Sequence, residues 1–313
     1  MDNAILAPVL ITVYDRVEHF QKTIDSLRGN TLAADTDLYV ALDFPKVSDD
    51  LIIKEKQNAI LKYISSIAYT DFKSINVIKR EVNYGAERNT FCAVEELLSK
   101  YESLIISEDD NVFSPFFLSY MNDGLQRYYY DNNIYSICGY LEPIEINKNL
   151  GYDTFSRRGF TSNGFAIWKH KFPSIPLSND LFFKKYLNPY DFFIMLSDLQ
   201  YNVAAGLIVS RLNKNNYFDL SFCWFLYLNK YKCIFPLQSL VRNIGQDGTG
   251  LNSGKNLSLQ NQVIWNLDSA LSHTKFDAID KTSNDILTKY HNKSLYHKIY
   301  RYFQYIYIYI RSI

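Results

Sequence analysis

The chain has 313 residues, 47% of them hydrophobic, with 12 Gly and 8 Pro, which describes a globular protein with core enough for one large domain or two intimate ones. Lys+Arg and Asp+Glu both total 33, so there is no bulk field of the kind that draws nucleic acid. The four cysteines (Cys92, Cys138, Cys223, Cys233) are scattered, and three lie in apolar runs, which suits buried thiols in a reducing compartment better than a disulfide framework or a zinc site. Ala4 to Val13 is apolar but short and lacks the basic lead-in of a signal peptide, and no stretch is long enough to span a bilayer. The expectation is a cytoplasmic protein.

In chain order, Pro8 to Val13 is an apolar, β-branched run and predicts a strand, followed by a helical pattern from Val17 to Leu27. Leu38 to Leu42 predicts a second strand ending at Asp43, and Ser48-Asp49-Asp50 predicts the cap of a second helix. Ile75 to Ile78 predicts a third strand, Ala86 to Leu98 a helix, and Leu104 to Ile106 a fourth strand. Strands alternating with helices indicate βαβ units and a largely parallel sheet.

Beyond about Tyr130 the alternation fails. Ile134 to Cys138 reads as one more strand, Glu142 to Asn163 as irregular, and Leu181–Tyr186, Phe192–Leu199 and Leu220–Leu228 as helical. Cys233–Phe235 reads as a strand, Gly245 to Gly254 as a polar glycine-rich loop and Leu257 to Leu271 as a helix. The expected division is an α/β half over 1–130, a second half over 131–275, and an aromatic, basic tail over 276–313.

The fourth predicted strand ends in Glu108-Asp109-Asp110-Asn111. Three adjacent carboxylates repel one another and call for a positive partner. A divalent cation such as Mg²⁺ or Mn²⁺ supplies one, with substrate phosphates on its remaining positions. The other reading is a solvated acidic turn before a helix with Ser114 as N-cap and Pro115 as its first residue.

Each of the first four strands ends in polar groups: Tyr14-Asp15-Arg16, Asp43, Asn83-Tyr84-Gly85 with Arg88-Asn89, and the triplet. In a parallel sheet all four sets share the carboxyl edge, where α/β folds bind ligands. Tyr14 can stack on a base, Asp43 can accept from a uracil N–H or merely form a turn before Pro45, and Arg88 can balance diphosphate charge.

The opening Pro8 to Arg16 run, the Asn83-Tyr84-Gly85-x-x-Arg88-Asn89 element and the acidic triplet together resemble the GT-A fold glycosyltransferases, and the triplet resembles the metal motif of N-acetylglucosaminyltransferases that begin complex N-glycans. Asn163 to Lys169 and Ser239 to Gly250 resemble a bacterial branch of that group found in clusters for surface polysaccharides. The resemblance covers about residues 6 to 255 and implies a Rossmann-like, mostly parallel sheet flanked by helices with a fused acceptor-side region. It implies an inverting, metal-dependent transfer from a UDP-sugar to a glycan or lipid-linked glycan acceptor. Donor contacts are expected from Thr12, Tyr14, Arg16, Asp43, Asn83, Gly85, Arg88, Glu108 and Asp109. Asp110 is expected to touch Mn²⁺ or Mg²⁺.

An inverting reaction needs a general base. Asp219 is the first candidate, with capping of the helix Leu220–Leu228 as its other reading; Asp191 and Asp247 are the reserves. Phe165 and Trp168 are either a platform for a sugar ring or core aromatics. Where related sequences carry a His after the glycine-rich element, Leu251-Asn252-Ser253 stands here, so Asn252 is expected as a neutral metal ligand or the metal rests on Asp110 and phosphates alone. Two other functions remain open at this point, a sugar-phosphate nucleotidyltransferase and a non-catalytic binding subunit. Residues 295–313, rich in Tyr and Ile with basic but no acidic residues, read either as a terminal element packed on the fold or as a peripheral contact with the inner face of the membrane.

Overall fold

The computed structural model describes residues 6–47, 50–144, 153–174, 189–197, 201–213, 217–249, 255–265, 286–287, 289–290 and 293–312. The apolar runs form β1 (Val9–Val13), β2 (Asp37–Leu42), β3 (Ser74–Lys79) and β4 (Ser103–Glu108), joined through α1 (Val17–Arg28), α2 (Leu51–Ser66) and α3 (Ala86–Leu98). β3, β2, β1 and β4 lie side by side and all parallel. Alternate residues of β1 serve opposite faces. Val9, Ile11 and Val13 pack with Phe20, Ile24, Ile60 and Ile64 of α1 and α2, whereas Leu10 packs with Ala93, Val94 and Leu97 of α3. This is the helix-flanked, mostly parallel sheet expected of a GT-A-like fold.

β5 (Asn111–Phe113) leads to α4 (Phe117–Arg127), β6 (Ile134–Cys138), β7 (Thr154–Arg157) and β8 (Phe165–Trp168). Then come α5 (Pro189–Ser197), α6 (Tyr201–Asn213), α7 (Phe218–Asn229), β9 (Lys232–Pro236), β10 (Val241–Asn243), α8 (Leu257–Gln260) and α9 (Leu295–Ser312). Among the described residues the main sheet has eight strands in the order β3-β2-β1-β4-β8-β6-β9-β7, with β8 and β7 antiparallel to their neighbours. β5 and β10 make a separate antiparallel pair, Val241 opposite Phe113 and Asn243 opposite Asn111. That pair carries the chain just after the acidic triplet against the strand leading into the glycine-rich loop.

Several expectations change. Ser114 does not cap α4, which begins at Phe117; the Ser114 N–H continues the β5–β10 pairing by donating to the Leu240 carbonyl at 2.8 Å. The stretch expected to be irregular contains β7, whose short polar sequence hides a strand paired with β9. α6 was not expected. The helix from Leu257 stops at Gln260, because the next residues are tied elsewhere: Gln262 donates to the Leu141 carbonyl and the Trp265 N–H to the Ser239 carbonyl. The helix expected at Leu181–Tyr186 lies outside the described residues. Phe165 and Trp168 are buried in β8, with the Trp168 indole N–H donating to the Leu125 carbonyl at 3.0 Å, so neither is a platform for a sugar ring. The four cysteines are free thiols, three of them buried.

Candidate active site

The register puts Val13 opposite Leu42, Leu42 opposite Lys79, and Thr12 opposite Glu108. The groups that follow β1, β2, β3 and β4 therefore gather on one edge of the sheet. Gln57 of α2 pins two of these strand ends, donating to the carbonyls of Tyr14 at 3.1 Å and Asp43 at 2.9 Å. The Tyr14 hydroxyl accepts from the Lys46 N–H, and Asp15 pairs with Lys56 at 2.8 Å.

Asp43 is buried and its carboxylate accepts four hydrogen bonds: from the N–H groups of Phe44 (2.9 Å), Tyr84 (2.8 Å) and Gly85 (2.8 Å), and from the Asn83 amide (3.1 Å). Two oxygens offer about four lone-pair sites, so none is left for a uracil N–H, and Asp43 acts here as the organiser of the 83–85 loop. Gly85 stands at φ 75° and ψ 161°, a region essentially closed to side-chain-bearing residues, and its carbonyl receives the Asn89 N–H of α3. The Tyr84 ring lies between two guanidinium groups, Arg88 at 4.3 Å and Arg80 at 5.2 Å. Arg88 itself is exposed.

The triplet sits in a turn held from every side. Thr23 of α1 donates to the Asp109 carbonyl at 2.7 Å, and the Ile244 N–H donates to the Asp110 carbonyl at 2.8 Å. The Arg16 guanidinium pairs with both Asp109 and Asp110, the latter at 2.9 Å. Asn243, a residue the sequence did not single out, donates to Asp110 at 3.1 Å and to the Asn163 carbonyl oxygen of its side chain at 3.1 Å, while accepting from the Gly245 N–H. Gly245 approaches so closely that a Cβ there would lie 2.1 Å from Asp110 Oδ2. Only glycine allows the loop to press on this carboxylate.

Three carboxylates face one guanidinium, and the excess negative charge shows in their titration. Burial pushes the Asp109 carboxyl up to about 7; the attraction of Arg16 opposes this and the Asp110 charge adds to it. Although burial works against its charge, Arg16 is raised by Asp109 and Asp110. The ion pair and the raised Asp109 are two sides of one imbalance, in which burial and like-charge repulsion outweigh a single cation. Glu108 is raised by the surrounding protein, then by Asp110 and Asp109, although its side chain opens to solvent at the cleft, which softens the effect.

Such a cluster fits a divalent ion, since Mg²⁺-type sites use one or two carboxylates and complete their shell with phosphate oxygens and water. Among the described residues, no three His, Cys, Asp or Glu side chains form a ready-made ion site. Asn252, the expected neutral ligand, lies outside the described residues.

A cavity of about 270 Å³ is lined by Tyr140, Glu142, Arg157, Gly159 to Asn163, Asn202, Val203, Asp219, Leu220 and Cys223, and its Asn163 is joined to Asp110 through the Asn243 amide. Arg157 and Glu142 form a bidentate pair at 3.2 and 3.0 Å, and the guanidinium lies 4.3 Å over the Phe235 ring. Asp219 is not the cap of α7. That helix begins at Phe218, whose N–H is received by Glu87 of α3 at 2.8 Å, and Asp219 stands in its first turn, accepting from the Leu220 N–H at 2.9 Å. Burial raises the Asp219 carboxyl above the ordinary carboxylate range, and its charge reaches Glu108. Asp247 is different: bonds from Thr249 hold its carboxyl below the usual range, and it pairs with His19 at 3.1 Å. Asp191 lies in α5, with its side chain outside the described residues.

No family model and no curated protein matches the chain. Among solved structures it is similar to a mannosyltransferase from Pyrobaculum calidifontis in complex with GDP-mannose and Mn²⁺, at 12% identity over 52% of this chain and 44% of that one, TM-score 0.37. It is similar to TarS from S. aureus at 11% identity over 77% of this chain and 61% of that one, TM-score 0.40. It is also similar to an active-site mutant of LgtC at 9% identity over 70% of each chain, TM-score 0.34. These neighbours are glycosyltransferases. The chain spans 44% and 61% of the first two of them, about half their length.

Proposed function

We propose that this chain is an inverting, metal-dependent glycosyltransferase that moves a sugar from a UDP-sugar to a glycan or lipid-linked glycan acceptor. The observation that carries the reading is the joining of two groups: the gathered strand ends with the acidic triplet, and a cavity containing Asp219 whose Asn163 is tied to Asp110 through Asn243. The three motifs that resemble GT-A enzymes support a UDP-sugar as donor.

In this reading the ends of β1 to β4 hold the donor. Tyr14 and the Tyr84–Arg88 pair offer flat and cationic surfaces for base and diphosphate. Glu108 and Asp109 offer acceptor oxygens to ribose and sugar hydroxyls. Asp110 would hold the divalent cation, whose charge, when bound, stabilises the departing diphosphate. Arg16 is placed to meet the same oxygens once it turns from the carboxylates.

Asp219 takes the proton. The acceptor hydroxyl gives its hydrogen to the Asp219 carboxylate as its oxygen forms a bond to the anomeric carbon, and the bond from that carbon to the phosphate oxygen breaks with its electron pair leaving on UDP. A base works best when its pKa approaches the working pH, and burial moves Asp219 in that direction. Asp247, held below the usual range, is the poorer choice.

Product analysis tests the reading. Purified protein with UDP-sugars, Mn²⁺ and glycan acceptors is expected to release UDP. Pyrophosphate release would assign nucleotidyl transfer instead, and donor binding with neither product would assign a non-catalytic subunit.

A further inference from the structure

α9 carries two stripes. Tyr305 and Ile308 are buried with Phe192, Leu196, Leu207 and Trp224, Tyr305 stacking on Phe192 at 4.2 Å between ring centres. The other stripe, Tyr296, Ile299, Phe303, Tyr307 and Ile310, recurs at the three- and four-residue spacing of one helix face and is 75, 43, 65, 53 and 66% exposed. At 1.5 Å per residue it runs for about 21 Å. Among the described residues, no core cluster includes this second stripe.

Its charge surroundings say what it fits. From 286 to 313 the sequence has five Lys and Arg and no Asp or Glu. The Arg311 guanidinium lies 4.7 Å over the Tyr307 ring and that of Arg301 5.8 Å over Tyr300. A helix that lies flat with aromatics on one side and exposed cations at its two ends, Lys293 and Arg311, has the chemistry of an interfacial helix: the rings rest at headgroup depth and the cations meet anionic lipid phosphates. Among the described residues no helix is long and apolar enough to cross a membrane, so the contact is one of lying on, not spanning.

We propose that the exposed stripe of α9 docks on an anionic membrane surface. Its position gives the contact a consequence. α9 packs on α5 and α6, α6 packs on α7, and Asn202 and Val203 of α6 line the cavity that contains Asp219. Docking therefore seats the Asp219 wall, rather than the sheet edge with the acidic triplet, next to the bilayer. The docking itself stands on the stripe and its charges, with or without sugar transfer.

The test is sedimentation of the full chain with vesicles of phosphatidylcholine alone or with about 30% phosphatidylglycerol, at low and high salt. Binding is expected only with phosphatidylglycerol, and it weakens in high salt. The exposed-side variants Phe303→Ser/Tyr307→Ser and Lys293→Glu/Arg311→Glu each lower it about tenfold while melting as the wild type does. Equal binding to both vesicle types, no binding, or full binding by either variant overturns the proposal. So does a dimer in light scattering that dissociates in Phe303→Ser/Tyr307→Ser, which would make a second copy the occupant. UDP release in the absence of vesicles keeps the two readings separable: vesicle binding without it leaves docking standing and sinks the transferase.

Discussion

On the β1–β4 side of the cleft, Asp43 accepts four hydrogen bonds and Asp109 and Asp110 share one guanidinium, whereas on the cavity side Asp219 accepts from the N–H of the residue that follows it in its own helix. A carboxylate filled with donors fixes backbone geometry. A buried carboxylate that, among the described residues, accepts at the start of its own helix keeps an affinity for protons. In the proposed reading the first wall holds a ligand still and the second exchanges a hydrogen with it.

A large break in this contrast is expected from Gly245→Ala. The added methyl would meet Asp110 Oδ2 at 2.1 Å, so the backbone of the loop or the carboxylate must move. Displacement of about an ångström at a reacting centre costs about 10²-fold in rate, and transfer assays on a chain that still folds, judged by circular dichroism, should show a loss of that order. Activity equal to wild type would show that the loop does not shape the Asp110 site.

A smaller effect is expected from Asp43→Asn. The substituted amide keeps one acceptor oxygen for the Phe44, Tyr84 and Gly85 N–H groups and points N–H donors at the rest. The cost is about 1–3 kcal/mol of stability, read by denaturant melts. Donor KM should rise with kcat little changed, because Gly85 and Tyr84 lose their position and Asp219 does not. An unchanged midpoint would contradict the organising role of Asp43.

The smallest is a pH effect. Asp109 is raised to about 7, so between its unfolded value of about 4 and that point the folded chain binds a proton the unfolded chain has released. This contribution to stability is complete below about 4 and is lost as pH rises to about 7. Thermal midpoints should fall across that window, in the metal-free protein, by a few degrees, and Asp109→Asn should flatten the fall. A midpoint that rises with pH there would contradict the charge imbalance assigned to the triplet.

The two walls also differ in how far the sequence announced them. The β1–β4 wall was legible because its strands are single apolar runs separated by helices with clear periodicity, so the alignment of the strand ends follows from the sequence. What misled was Asp43: the sequence shows a carboxylate before Pro45 but not the four donors that the folding of the 83–85 loop delivers to it. The second wall was less legible. β7 is a Thr-Phe-Ser-Arg segment with no apolar run, and its strand character comes from pairing with β9. Asn243 and Asn163 meet only because β10 pairs with β5, a contact between residues more than a hundred positions apart. The tail was half legible: the reading of a terminal element packed on the fold is seen in the buried stripe of α9, and the membrane reading is the proposal made for its exposed stripe.

The measurement that tests the account most directly is calorimetric binding of UDP-sugar with Mn²⁺, beside transfer rates, for Asp110→Ala and Asp219→Asn. The account predicts that Asp219→Asn binds donor as the wild type does while transfer falls about 10²- to 10⁴-fold, and that Asp110→Ala loses the Mn²⁺-dependent part of binding together with transfer. Donor binding and transfer by Asp110→Ala at wild-type levels, or full transfer by Asp219→Asn, would contradict the division of labour between the two walls.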